Sequence, residues 1–187
     1  PAIYYDDWQL LVGRFYRGLT PWFNPNFSRP FRETSWKLIF SLFGFNASAV
    51  VAAKMATNIL STMLLYRIFS FLQPDRAHLA LGFALLSMVY PADKTRMWMV
   101  MLTFGWTFGC LSTLLLLYYL RSGKPWLLLP AALGYSFAYL EYEGLVGFFT
   151  AFGALLMVYT FPAFWKPARR ISWKRWAGLA LPLVLFG

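Results

Sequence analysis

Few residues in this chain could do chemistry. There is one cysteine, Cys110, and one histidine, His78, beside seven acids. That excludes an internal disulfide, a Cys/His zinc site and a Cys–His pair, and a Ser–His–Asp triad unless His78 itself serves. Proton transfer or metal ligation therefore falls mainly on carboxylates. Asp6 and Asp7 stand side by side directly before an apolar, aromatic stretch, in "YYDDWQLLVGRFYRGL". One acid there has a structural use, as a cap that accepts backbone N–H bonds at the positive end of a helix. Capping explains the second aspartate poorly. A carboxylate held at the edge of a bilayer can also take a proton from an acceptor hydroxyl as a bond forms, the work of a general base.

Three further groups carry charge where apolar surroundings make it conspicuous. Glu141 and Glu143, flanked by Tyr139 and Tyr142, follow a short apolar run. Two acids at that spacing can share a metal ion or bind sugar hydroxyls, and the plainer alternative is an acidic, solvated turn. Lys94 and Arg96 sit in a short loop after Tyr90. Arginine grips phosphate oxygens in pairs, so a lipid phosphate would suit that loop. Neutralisation of Lys94 by Asp93 is the alternative. Lys54 lies inside an apolar run, one turn before Asn58. Intramembrane ions are costly and tend to be functional, although a lysine near a span end can also snorkel to the interface.

The elements that must position these groups are helical. The chain of 187 residues is 59% hydrophobic, 21% aromatic and only 13% charged. Ordinary soluble domains are about 45–50% apolar and about 25% charged, and so much apolar surface cannot be hidden inside one small globule. The natural solvent is a bilayer. The net charge of +10 is scattered among apolar runs, as in the loops of a polytopic membrane protein, so nucleic acid is not expected as a partner. The chain begins at Pro1 and ends within an apolar run, which reads as a fragment of a longer protein with no signal peptide visible.

The clearest span is 97–120, "MWMVMLTFGWTFGCLSTLLLLYYL", without a charge and with Gly105 and Gly109 as a close-packing pair. Further spans are expected at about 47–66, 77–90, 126–140, 144–161 and, cut off by the chain end, 176–187. The runs 77–90 and 126–140 are short, and the second contains Pro130. The loops 67–76, 121–124 and 162–175 hold nine cations against one acid, Asp75, and the positive-inside rule makes them cytoplasmic. The other side carries Asp6, Asp7, Glu33, Asp93, Glu141 and Glu143, six of the seven acids. Residues 1–46 are too polar and interrupted to cross. Trp8, Leu11, Val12, Phe15 and Leu19, then Trp36, Ile39, Phe40 and Phe43, recur at one-face helical spacing, the second set opened by Thr34 as N-cap. Both predict helices lying flat on the membrane. The expected architecture is all-α: an extracytoplasmic loop with two interfacial helices over 1–46, then a transmembrane helical bundle over 47–187.

This order of short motifs, "DDW" at 6–8, "RP" at 29–30, "FGFN" at 43–46, "YP" at 90–91 and "YEG" at 142–144, resembles the integral-membrane glycosyltransferases of the GT-C fold, the protein O-mannosyltransferase-like and related bacterial polyprenyl-phosphate-sugar enzymes. The resemblance covers the layout of nearly the whole chain, without the first and the later helices of that family. It implies transfer of a sugar from a polyprenyl-phosphate-linked donor to an acceptor hydroxyl on a glycan, lipid or protein, at the extracytoplasmic face. Asp6 or Asp7 matches the family's catalytic base, Arg29 its Arg–Pro, and Glu143 the acid of a later loop. Lys94, Arg96 and Lys54 then become candidates for the donor phosphate, and Arg29, Glu141 and Glu143 for orienting the substrates. Many relatives have His–Pro where this chain has Tyr90–Pro91, and Lys–Glu where it has Tyr142–Glu143. The donor and any divalent metal, for which Asp7 and Glu143 are the candidate ligands, stay open. A transporter or lipid flippase, and a non-catalytic membrane subunit, are the competing readings.

Overall fold

The computed structural model describes residues 34–44, 46–89, 100–141 and 153. Five α-helices and two short 3-10 turns make up almost all of this part, with no strand among the described residues. In chain order these are α1 (Thr34–Phe43), α2 (Ala47–Leu72), a 3-10 turn at Pro74–Arg76, α3 (Ala77–Val89), α4 (Val100–Ser122), a 3-10 turn at Pro125–Leu127, and α5 (Leu128–Glu141). The first predicted flat helix, the loops holding Lys94 and Arg96, and the spans at 144–161 and 176–187 lie outside the described residues.

Local chemistry sets the boundaries. The "FGFN" motif is a paired stop and start. Gly44 has φ +56°, the left-handed conformation that ends α1 without a Cβ clash. Two residues later Asn46 opens α2, its Oδ1 accepting from the Ala49 N–H at 3.1 Å. The Asn46 N–H donates back to the Phe43 carbonyl at 3.3 Å. At the far end of α2 the Gln73 N–H donates to the Phe69 carbonyl, and Pro74, which cannot continue a helical ladder, starts the 3-10 turn. Gly123, at φ +71°, ends α4, with its N–H on the Tyr119 carbonyl at 2.7 Å.

α2 runs six residues past the expected span end at 66, carrying Arg67 to Leu72 in helix. An arginine at the polar margin does not break a helix, so a boundary drawn at the first charge is too early. Pro130 does not interrupt its helix either. It is the third residue of α5, in the first turn, where its missing N–H has no intrahelical partner to lose.

Among the described residues, α2 and α4 are the two helices long and apolar enough to cross a membrane. At 26 and 23 residues they are about 39 and 35 Å long, against a hydrocarbon core of about 30 Å. They run parallel, because Ser61 meets Thr107 and, further along both, Phe71 meets Tyr118. α3 folds back on α2 (Phe69 against Phe83) and α5 folds back on α4 (Phe108 against Phe137). α4 is the centre, with α1, α2 and α5 packed on it. Leu65, Ile68, Ala84, Trp106, Cys110, Leu114, Leu117 and Ala138 form the main core.

Hydroxyl pairs link the helices within this core. Ser61 Oγ and Thr107 Oγ1 are 2.6 Å apart between α2 and α4, and Thr113 Oγ1 and the Tyr135 hydroxyl are 2.7 Å apart between α4 and α5. Gly105, Gly109 and Ser112 are buried at i, i+4, i+7 on α4. A Cβ added at Gly134 of α5 would overlap Ser112 Oγ, so the two helices approach at glycine distance. Outside the core the apolar faces are bare. Met55 and Met63 of α2 are each 61% exposed, Leu86 of α3 57%, and Leu129 of α5 68%. Water would penalise such a continuous apolar surface, and hydrocarbon would not.

Two outcomes check this packing. Gly134→Val should destabilise the protein by about 1–3 kcal/mol, the usual cost of overpacking, read as a lowered thermal midpoint in detergent. A Ser61→Ala/Thr107→Ala double-mutant cycle should give a coupling of about 0.6 kcal/mol, the average for interhelical hydrogen bonds in membranes.

Candidate functional site

Eight Lys, Arg, Asp and Glu residues are described, and burial divides them cleanly. Arg67, Asp75, Arg76, Arg121 and Lys124 are exposed. The parallel run of α2 and α4, with both return turns at their C-terminal ends, collects these five at one end of the bundle, hereafter the basic end. Lys37, Lys54 and Glu141 are 3%, 8% and 0% exposed. All three lie toward the opposite end.

The register fixes how close in depth they come. Lys54 is seven residues before Ser61, which faces Thr107, so it lies about 10 Å further from the basic end than that pair. Glu141 is the last residue of α5, four residues beyond Phe137, which faces Phe108. That puts Glu141 opposite Gly105 and within about one helical turn of the Lys54 level. α1 feeds directly into the start of α2 and packs on α4, which brings Lys37 to the same end. One buried charge thus comes from each of the three helices that surround α4.

These side chains are engaged in the fold: Lys37, Lys54 and Glu141 each take part in a polar or electrostatic contact. The same region carries hydroxyls and amides, with Thr57 bonded to the Ala53 carbonyl and Thr107 to the Thr103 carbonyl, both at 2.7 Å. Thr103, Thr107 and Ser61 are all buried. Toward the end opposite the basic loops, buried charges and buried hydroxyls therefore occur at similar depths. Charges so enclosed interact strongly with one another and with any ionic ligand, because little water screens them.

Of the residues singled out by sequence, Lys54 and Glu141 fall in the described part, and the structure brings them to the same end. Glu141 is not solvated: it lies on α5 and is fully buried. Lys54 is likewise enclosed by protein instead of reaching an open interface. Asp6, Asp7, Arg29, Lys94, Arg96 and Glu143 lie outside the described residues. Lys37 was missed by sequence reasoning, since it reads as the polar residue of an amphipathic helix. Ile39, expected on the apolar face of α1, is buried at 1%, while Phe43, expected on the same face, is 41% exposed.

Among the described residues no three of His, Cys, Asp and Glu group as a metal site would. That end contributes one described carboxylate, Glu141, whereas a hard dication takes six or more oxygens. Asp7 and Glu143, the candidate metal ligands, lie outside the described residues.

Burial makes a direct prediction for lysine chemistry. Under native conditions a small amine-methylating reagent should modify Lys124 and leave Lys37 and Lys54 largely unmodified, and denaturation should equalise them, as read by mass spectrometry of the digest. No family model matches the chain, and no curated protein or solved structure is similar to it.

Proposed function

We propose that this chain is the membrane core of a GT-C-type glycosyltransferase, a multi-spanning helical bundle with flat helices over 1–46. It moves a sugar from a polyprenyl-phosphate-linked donor to an acceptor hydroxyl at the extracytoplasmic face. One observation carries the reading: the buried charges Lys37, Lys54 and Glu141 gather at the end of the bundle away from the basic loops. With those loops cytoplasmic, the buried charges face the extracytoplasmic side, where a lipid-borne donor presents its phosphate.

In this mechanism Asp6 or Asp7 accepts the proton of the acceptor hydroxyl. The acceptor oxygen forms a bond to the anomeric carbon, and the bond from that carbon to the donor phosphate oxygen breaks. The electron pair leaves with the polyprenyl phosphate. Negative charge develops on that leaving phosphate, so fixed cations there matter most. Lys54, with Lys94 and Arg96, fills that role. Arg29, Glu141 and Glu143 orient sugar and acceptor. A transport function is the less supported alternative. It calls for broken helices and ionisable groups near the midplane, whereas α2 and α4 are continuous and their charges lie toward the ends.

The test uses the full parent chain in native membranes, following labelled sugar from a polyprenyl-linked pool. One of Asp6→Asn and Asp7→Asn should lose about 10²–10⁴ in rate, the usual size of general-base help, with unchanged expression. Lys54→Met should slow transfer as well. Normal transfer by both aspartate variants would overturn the mechanism, and transport into sealed vesicles without sugar transfer would favour the alternative.

A further inference from the structure

The basic end holds a second arrangement, distant from the buried charges. Phe71, near the end of α2, packs edge-on against Tyr118 of α4, with ring centroids 5.7 Å apart and planes at 77°. The Arg121 guanidinium lies over the same Phe71 ring, its Cζ 5.7 Å from the centroid. Arg67 is one turn before Phe71, on the same face of α2, and is exposed, as is Arg121. Tyr118 is 45% exposed. Two arginines and a phenol thus flank one aromatic contact on the outer seam between α2 and α4.

Arg121 is held in place. It lies along Phe71 while its helix is closed by Gly123, and its neighbour Ser122 bonds the Tyr118 carbonyl at 2.8 Å. A guanidinium resting on a ring keeps its N–H groups free to point along the ring plane, and it is more weakly hydrated than an ammonium. Above the seam, toward the middle of the bundle, two apolar tracks begin. On α2, Leu60 (48% exposed) and Met63 (61% exposed) lead to Arg67 at i, i+3, i+7. On α4, Leu111 (39% exposed) leads to Tyr118 at i+7. Phe71 and Tyr118 join the tracks at the charged end.

We propose that this seam is a binding site for one anionic phospholipid of the leaflet at the basic end. Arg67 and Arg121 hold the phosphate, the Tyr118 hydroxyl donates to it, and the acyl chains lie along the Leu60–Met63 and Leu111 tracks. Charge complementarity selects the occupant: the cations take an anionic headgroup, and the bare tracks toward the middle of the bundle take hydrocarbon. Asp75 is the acid described at this end, and it sits in the α2–α3 turn. The site rests on the membrane reading and does not depend on sugar transfer.

The experiment uses the full chain in nanodiscs of phosphatidylcholine with or without phosphatidylglycerol, reading the thermal midpoint and, by native mass spectrometry, retained lipid. Phosphatidylglycerol should raise the midpoint of the wild type over phosphatidylcholine alone. Arg67→Gln/Arg121→Gln should abolish that difference and weaken lipid retention by about tenfold per arginine. Arg76→Gln/Lys124→Gln removes the same charge at the same end, away from the seam, and should keep most of the difference. Equal loss in both pairs would reduce the effect to diffuse attraction and overturn the site, as would the absence of any lipid difference in the wild type. If the glutamine pair does not fold, Arg67→Lys/Arg121→Lys decides. It keeps charge and loses the guanidinium fork, so it should lose at least half of the difference, and an undiminished difference overturns the proposal.

Discussion

Close approach of helix backbones around α4 is the constraint on which the rest of the structure depends. Bulky apolar side chains alone would hold neighbouring helices at 8–10 Å. α4 instead presents Gly105, Gly109 and Ser112 to α5, and Thr107 to α2. Small residues admit a neighbour, and hydroxyls tie it by a single bond at a fixed height. The Ser61–Thr107 contact sets the register of the parallel pair α2 and α4. The Thr113–Tyr135 contact sets that of the antiparallel pair α4 and α5. Once those heights are fixed, so is the depth of every charge carried on the three helices. The level of Lys54 follows from Ser61, about two turns away, and that of Glu141 from Phe137, about one turn away.

The two ends of the bundle then diverge in character from the same simple cause. At the basic end the helices stop at glycine and proline, and short turns leave cations in the open. At the other end α1 packs on α2 and α4, and the charges there are enclosed. Enclosure makes each charge matter more. A lysine in the open loses little when an anion leaves, whereas a lysine among apolar helices is costly without one. The five exposed charges fit a role in orientation and lipid contact. The three enclosed ones fit a role in holding a ligand or a fixed network.

Much of the helical architecture was legible in the sequence, because long uncharged runs and turn residues carry it directly. Where they are described, the runs 77–90 and 126–140 fall largely on helix, in α3 and α5. The ends of α2 were less legible. Arg67 looked like a boundary, yet a long flexible cation can stay on a helix and still reach water. Pro130 sits in the first turn of α5, a placement that depends on where the preceding 3-10 turn ends. For the candidate site, Lys54 and Glu141 were conspicuous because each interrupts apolar surroundings. Lys37 had no such contrast. Its burial comes from α1 lying against α4, a contact between segments more than sixty residues apart, and no local pattern encodes that.

The junction between α1 and α2 has a mechanical consequence. Gly44 closes one helix and Asn46 opens the next, with hydrogen bonds on both sides of a three-residue link. Such a link has almost no slack. α1 is therefore a lever fixed to the head of α2, and a push on it turns α2 with it. Because α2 meets α4 at the Ser61–Thr107 pair, strain at that junction has a direct route along α2 to the centre of the bundle.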